Sequence, residues 1–508
     1  MKRFFIKLGR FFWSWGFLKF ILWSVTIIVF LYVEEDWRGA RNWAATKTKW
    51  EVRGVSFDFN TYLPPPVPDD QNFAAIPLFK MEPDALQRGN LAPLALNRAF
   101  AGNYNAETDS HPITSGDWQH GKTTDMAKFR QAVAAEYSAT FPGRPLPNDL
   151  MEEFRALYPV LELLRTANAA RPFCRYEQNY KFDLPYENYL GLITAQIIVS
   201  KFLTYDAVAA LDAHNAKRAL DDIRVNNKLV GGMMDQPIFV SGLVSIGMVA
   251  INLGSVYDGL SWHSWNDAQL AQIQRELSSI DFLTDYRRMM RGETIGVLIP
   301  AIDRIKSEWS VWLPDKNTGK EYKDSFPSLW ANGWIDQWKV RSVDLNLTAS
   351  TWVNPEARLF LPKAMEDYQA ATERKLNGWT IYLPWNWLFR MGVTGPIFNA
   401  SGKFAQMQVW VDEARIACAL ERYRLAHGAY PSTLDALVSA YIDELPHDIM
   451  NGEPYHYSLK TDGTFLLYSV GWNQVDDGGK EVDELGTTHR DYTKGDWVWP
   501  TPRTTNTP

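Results

Sequence analysis

Phe404 to Gly428 reads FAQMQVWVDEARIACALERYRLAHG, and this stretch sets the architecture of the C-terminal part. Val409, Ala417, Leu420 and Tyr423 recur at helical intervals and fall near one side, so a long amphipathic helix is expected from about Lys403. Gly428 is placed to cap it, since glycine adopts the left-handed conformation at little cost. After it, YPSTLDALVSAY predicts a short helix opened by Pro431 and Ser432, with Leu434, Leu437 and Val438 as its buried side. LPHDIMNGEPYHYSL is a turn-rich link into a strand, and GTFLLYSV is a second strand. Asp462-Gly463 between them reads as a hairpin turn. One helix on a small antiparallel sheet is the implied unit.

Upstream, the chain reads as mainly α. Thr124–Thr140 and Asn148–Ala170 carry apolar residues every three or four positions, with Asn148 and Asp149 as N-caps of the second run. Further helices are expected over Tyr189–Ala210, His214–Leu229, Pro237–Leu260 and Ala268–Phe282. Ala209, Ala210, Ala216 and Ala219 would let two helices approach closely, as in a tetratricopeptide unit. The 34-residue period of that repeat is not found, so a stacked, solenoid-like helical layer is the reading. Pro237–Tyr257 is uncharged and long enough to cross a membrane, but its Gly and Ser residues and amphipathic neighbours favour a buried core helix. Val52, Val55, Phe57 and Phe59 alternate like a strand, ahead of the helix-breaking LPPPVPDD and a polar, irregular stretch to about residue 120. Nine of the 22 tryptophans lie between Trp309 and Trp387. They read as core filling, with sugar stacking or a membrane interface as alternatives.

The N-terminus decides location. Lys2, Arg3, Lys7 and Arg10 precede Phe11–Val33, which is apolar apart from Ser14, Gly16, Lys19, Ser24 and Thr26. Its length at about 1.5 Å per residue exceeds the roughly 30 Å of a bilayer's hydrocarbon core. Lys19 can snorkel to the nearer face, and Glu34, Glu35 and Asp36 follow the span. The positive-inside rule puts the N-terminus in the cytoplasm and the rest outside, at a bacterial inner membrane with the bulk in the periplasm. A cleaved signal peptide is the alternative; no small-x-small site follows closely. The chain then divides into a cytoplasmic tail and transmembrane anchor (1–36), an irregular or β linker (37–120), a helical domain (121–308), a Trp-rich connecting region (309–400) and an α+β domain (401–508).

A net charge of −7 argues against a nucleic-acid partner. The partners expected are the membrane, through the N-terminal helix, and other envelope proteins. Cys174 and Cys418 cannot make a disulfide framework; one bridge or two buried thiols are the options. The eight histidines are scattered, and no metalloprotease, nucleophile-elbow or Walker pattern occurs. His447 with Asp448 and His456 could join a site, although surface or core histidines are the simpler reading, and acid pairs such as Glu152-Glu153 and Asp221-Asp222 read equally as catalytic pairs or as solvated helix faces.

The run from Cys418 to Gly479 resembles the globular head of the major pseudopilin of type II secretion systems. The resemblance is carried by Gly428, Tyr430, Pro431, Leu434, Leu437, Leu445, Pro446, Asp448, Gly452, Pro454, Tyr455, Tyr457, Ser469, Gly471, Gly478 and Gly479, with Asp496-Trp497 echoing the close of that domain. It implies a calcium loop, with carboxylates from Asp476, Asp477, Asp483 and Asp496 and further oxygens from Ser469 and Gly471. A solvated acidic turn is the other reading. Asn473-Gln474 replaces the family's Asp-Gly, and no prepilin-peptidase signature is present. The full chain is also similar to large membrane-anchored proteins of planctomycete- and verrucomicrobium-type bacteria. Together these imply a single-pass anchored extracytoplasmic interaction or structural protein bearing a calcium-stabilised pseudopilin-like head. The alternatives are an accessory subunit of a type II secretion or pilus-like machine, and a membrane-anchored hydrolase with no recognisable motif.

Overall fold

A computed structural model describes residues 15–79, 116–140, 158–176, 187–308, 310–314, 321–325, 332–376, 394–483 and 490–501. In chain order, α1 is Trp15–Val52, α2 Met126–Thr140, α3 Tyr158–Ala170 and α4 Glu187–Asp212. They are followed by α5 Ala216–Met234, α6 Phe239–Ser261, α7 Asp267–Ser278 and α8 Phe282–Gly292. A π-helical segment, Glu293–Leu298, leads to α9 (Ile299–Glu308) and the antiparallel pair β1 (Ser310–Pro314) and β2 (Glu321–Ser325). Next come α10 (Asn332–Ala349), the short ladder β3 (Val353–Asn354) and β4 (Leu359–Phe360), and α11 (Pro362–Leu376). The C-terminal part holds α12 (Thr394–His427), β5 (His456–Leu459), β6 (Phe465–Ser469), β7 (Glu481–Asp483), β8 (Arg490–Gly495) and β9 (Trp497–Val498). The protein is therefore mainly helical, with small antiparallel sheets and an N-terminal apolar helix.

The elements form two units, each assembled from separate stretches of chain: Met1–Thr61, Glu293–Ala349 and Asp367–Pro396 in one, and Tyr62–Gly292, Ser350–Glu366 and Ile397–Pro508 in the other.

In the first unit α1 has two halves of different character. Its N-terminal half exposes apolar side chains on every side, Phe20 at 66% and Phe30 at 69%. By length and composition it is able to cross a membrane. Its C-terminal half lies along α10. Asn42 Nδ2 donates to Gln337 Oε1 at 3.1 Å, and Trp50 Nε1 donates to Asp344 Oδ1 at 3.1 Å. Trp50, Val55, Val343 and Leu347 form a buried cluster covered by Trp43, Phe57, Leu298 and Ile299. The strand expected from the alternation of Val52, Val55, Phe57 and Phe59 does not form. The helix continues through Val52, Gly54 turns the chain at φ +78°, and Phe59 opens a 3-10 turn. Val55 and Phe57 enter the core from this turn, so burial and not pleating explains their apolarity.

In the second unit α4, α5 and α6 pack on one another, with α3 and α7 against α5. Ala207 to Leu211, Leu229, Met233, Met248 and Leu253 fill the interior. Each of the buried Val, Leu and Met side chains contributes about 1.5–3 kcal/mol through burial, and the alanines less. The apolar run expected to be a core helix is α6, and much of it is buried. The expected Ala268–Phe282 helix ends at Ser278, and Phe282 starts α8. The α3 caps proposed at Asn148 and Asp149 lie outside the described residues. Of the tryptophans, Trp352 is buried and Trp334 and Trp338 are half-buried. Trp309, Trp330, Trp379, Trp385 and Trp387 lie outside the described residues, as does the side chain of Trp312. Cys174 and Cys418 are both buried free thiols.

The sequence leads one to expect α12 to be buried on one side. It is instead buried nearly all round from Phe404 to Glu421. The sheet covers one face and the helical body the other: Phe404 packs on Phe239, Phe282 and Tyr286, and Trp410 meets Trp118 edge-on at 5.2 Å. The C-terminal α+β region therefore shares a core with the body. Gly428 caps α12 at φ +78°, its N–H donating to Arg424 O at 2.7 Å. β5 and β6 form the expected hairpin, with Gly463 at φ +81° in the turn and β9 added antiparallel to β6. Leu434 and Leu437 are buried as expected, on a 3-10 turn, whereas Val438 is 41% exposed because the turn ends at that residue.

Candidate functional site

The loop after β6 is built around Asp496. This buried carboxylate accepts the N–H groups of Asp477 at 3.1 Å and Gly479 at 2.7 Å, so it gathers the acidic turn onto the start of β9. Gly478 and Gly479, at φ +73° and +76°, let the turn aim the N–H groups of Asp477 and Gly479 at Asp496 and that of Gly478 at Asp476. Asp476 Oδ1 accepts from Tyr468 Oη and from Gly478 N, both at 2.9 Å. The N–H of Gly478 is the main cause holding the Asp476 carboxyl below its usual range. Asp477 Oδ2 accepts from Asn473 Nδ2 at 2.9 Å. Burial raises Asp496, with the Gly479 and Asp477 N–H groups opposing. Ser469 Oγ is buried and accepts from Gly471 N at 3.0 Å. Gly471 is held at φ +65°, and a Cβ there would lie 2.6 Å from Gly495 O. Asp483 pairs with Arg490 across the β7–β8 ladder.

In this arrangement the described carboxylates of the expected calcium loop, Asp476, Asp477 and Asp496, do not converge on one point, and the side chain of Asp483 lies outside the described residues. Among the described residues no three carboxylates, imidazoles or thiols gather as a metal-holding group. Asp476, Asp477 and Asp496 face N–H and O–H donors, whereas calcium requires six to eight oxygens turned towards one point. The crevice between Asp496, Asp491 and Trp410 has about 10 Å³ of room, enough for at most a water.

Beneath the loop lies a buried acidic cluster that the sequence reading did not single out. Asp448 Oδ1 and Oδ2 accept from Met450 N at 3.0 Å and Val470 N at 2.9 Å, so the link before β5 is tied to the end of β6. Asp412, on α12, is held by Arg358 at 3.0 Å and Arg415 at 3.1 Å. Its neighbour Glu413 is fully buried. Burial drives its pKa well above the usual carboxylate range, Asp448 and Asp412 push it further, and only the backbone of Ser469 opposes. The signal was present in the sequence: Asp412 and Glu413 are the only acids between Phe404 and Leu420.

No family model matches the chain, and no curated protein and no solved structure is significantly similar to it.

The remaining candidates are structural. His447 Nε2 faces the carbonyls of Ala357 and Arg358 at 3.2 Å, and His456 stacks on Tyr468 with centroids 4.8 Å apart. Of the acid pairs, Asp221 meets Lys217 at the surface while Asp222 is buried; Glu152-Glu153 lies outside the described residues.

Glu413 gives a pH prediction. Its folded-state pKa lies above the unfolded value near 4.5, so the neutral acid stabilises the fold below that pH. The contribution is lost as pH rises through the folded-state value. Glu413→Gln, neutral throughout, should flatten the fall of the thermal midpoint as pH rises above the unfolded value near 4.5. Parallel profiles for the variant and the parent would remove Glu413 as the titrating group.

Proposed function

We propose that this chain is a single-pass, membrane-anchored protein whose bulk lies outside the cytoplasm and serves as an interaction or structural component of the envelope. The observation that carries the reading is α1: one continuous helix with an exposed apolar half and a half packed on α10. Such a helix joins the bilayer to the first unit without a flexible link. The basic residues before it and the acids after it favour a cytoplasmic N-terminus. The test uses a reporter thiol. Both native cysteines are buried, whereas Thr461 is exposed. Thr461→Cys should react with a membrane-impermeant maleimide in intact spheroplasts, and the protein should stay with membranes after a carbonate wash. Labelling only after lysis, or release by carbonate, would sink the proposal.

Calcium stabilisation of a pseudopilin-like head belongs to the same reading and rests on the resemblance. It requires Asp476, Asp477 and Asp496 to exchange the N–H groups they hold for an ion. Because α12 shares its core with the helical body, the full chain in detergent is the sample. Calcium binding predicts a thermal midpoint several degrees higher in millimolar calcium than in chelator, with the difference abolished in Asp476→Asn/Asp477→Asn. Equal midpoints in the parent would remove the ion.

A further inference from the structure

A second site lies in the helical body, away from the acidic loop. A cavity of about 250 Å³ opens between α5, α7 and the segment after α3. Arg224, Asn227, Lys228 and Gly231 stand on one face of α5, at successive three- and four-residue steps. Arg175 enters from the segment after α3 and Glu276 from α7. Cations exceed anions around the space. Arg175 is paired with Asp235, and Arg224 Nε with Glu276 at 3.2 Å. Lys228 is the surplus charge, its ammonium donating to the Pro172 carbonyl at 2.5 Å. Arg175 and Arg224 are each answered by a carboxylate, whereas Lys228 donates to a neutral carbonyl, so the lining is short of acceptor oxygens and an oxyanion is the complement. Burial pushes Lys228 below its usual pKa, which an anion would reverse. Cys174 is a wall and not a reactive group, because burial pushes its thiol up to about 11.

We propose that this cavity binds a small oxyanion, a phosphate or carboxylate group, seated between Lys228, Asn227 and Arg175. The volume falls just below the range of drug-sized pockets, so the ligand is a small one. A binding site in the helical body is independent of any ion in the acidic loop.

The experiment titrates the detergent-solubilised full chain with inorganic phosphate and, separately, with succinate, at ionic strength matched by chloride. Saturable binding with a raised thermal midpoint is expected for at least one of them. Binding of both in competition assigns the general oxyanion class, and binding of one alone assigns that group. Lys228→Gln should weaken binding about tenfold or more, the scale of one charge-assisted hydrogen bond. Gly231→Leu should abolish it by filling the space: a Cβ at Gly231 meets nothing within 4 Å, and a ligand-free thermal midpoint equal to the parent's shows that the fold accepts the larger side chain. Lys217→Gln, on the outer surface, should bind as the parent does. If neither anion binds beyond the chloride control, or if Lys228→Gln and Gly231→Leu bind like the parent, the site is overturned.

Discussion

Arg165→Met should cost the second unit about 3–5 kcal/mol, the scale of a buried ion pair broken from one side. Arg165, on α3, donates through Nε to Asp222 at 2.9 Å, and its guanidinium also reaches Asp206. Both carboxylates have no exposed side-chain surface. Asp206 keeps a second cation, since Arg218 Nε lies 2.9 Å from it. For Asp222, Arg165 is the cation that favours the charged form, and burial followed by Asp206 already drives its pKa well above the usual range. Without Arg165 it must protonate or remain an isolated buried charge. Raised folded-state pKa values stabilise at low pH and lose that contribution as pH rises, so the variant should be worse at pH 7 than at pH 4. Asp222→Asn in the same chain should recover much of the loss, because it removes the charge that lost its partner. Urea midpoints of the parent, the single and the double variant measure this. A loss below about 1 kcal/mol at neutral pH would show that the three helices are held by apolar packing alone.

That network illustrates which parts of the fold were legible. Periodicity places α4, α5 and α6 to within a few residues, because each presents long apolar stripes, and the Asp462-Gly463 turn places the hairpin. It does not show that Asp206 and Asp222 share Arg165, since the three residues come from three helices and every one alone resembles a solvated face. The same reason hides the oxyanion cavity, although the Arg224, Lys228 and Gly231 spacing is visible once the face is known. The error at Val52–Phe59 is of another kind. Alternation reports which residues are apolar, and a turn can bury Val55 and Phe57 as well as a strand can. α12 shows the converse: a helix covered by a sheet on one side and helices on the other loses its polar face, and only Asp412 and Glu413 in its middle betray it. The acidic loop was legible as a loop, and its glycines do take positive φ. Its internal hydrogen-bond partners were not, because an acid turned onto backbone N–H groups and one turned onto a cation have the same sequence.

Gly333→Leu should have the largest effect in the first unit. α1 and α10 touch through backbone at this point. A Cβ on Gly333 would lie 2.0 Å from Glu35 O and 2.3 Å from Glu35 C, and one on Gly39 would lie 2.7 Å from Gly333 Cα. Main-chain atoms cannot rotate aside as a side chain can, so the helices must separate. Separation removes the hydrogen bond from Gly333 N to Asp36 Oδ1, 2.6 Å, by which a carboxylate of α1 caps the first turn of α10. It also loosens the cluster of Trp50, Val343 and Leu347. Overpacking usually costs about 1–3 kcal/mol, and a clash with backbone plus a lost cap belongs at or above the upper end. The apolar half of α1 should still enter a membrane, so the variant separates anchoring from attachment. It should remain in the membrane fraction yet become sensitive to protease between Trp43 and Thr61, where the parent resists. Gly247→Ala is the matched control, since a Cβ there meets nothing within 4 Å, and it should be neutral or stabilising by about 0.5–1 kcal/mol. Equal protease resistance in Gly333→Leu and the parent would mean that α1 and α10 are not in backbone contact, and the proposed rigid link from the apolar half of α1 to the rest of the first unit would fall with it.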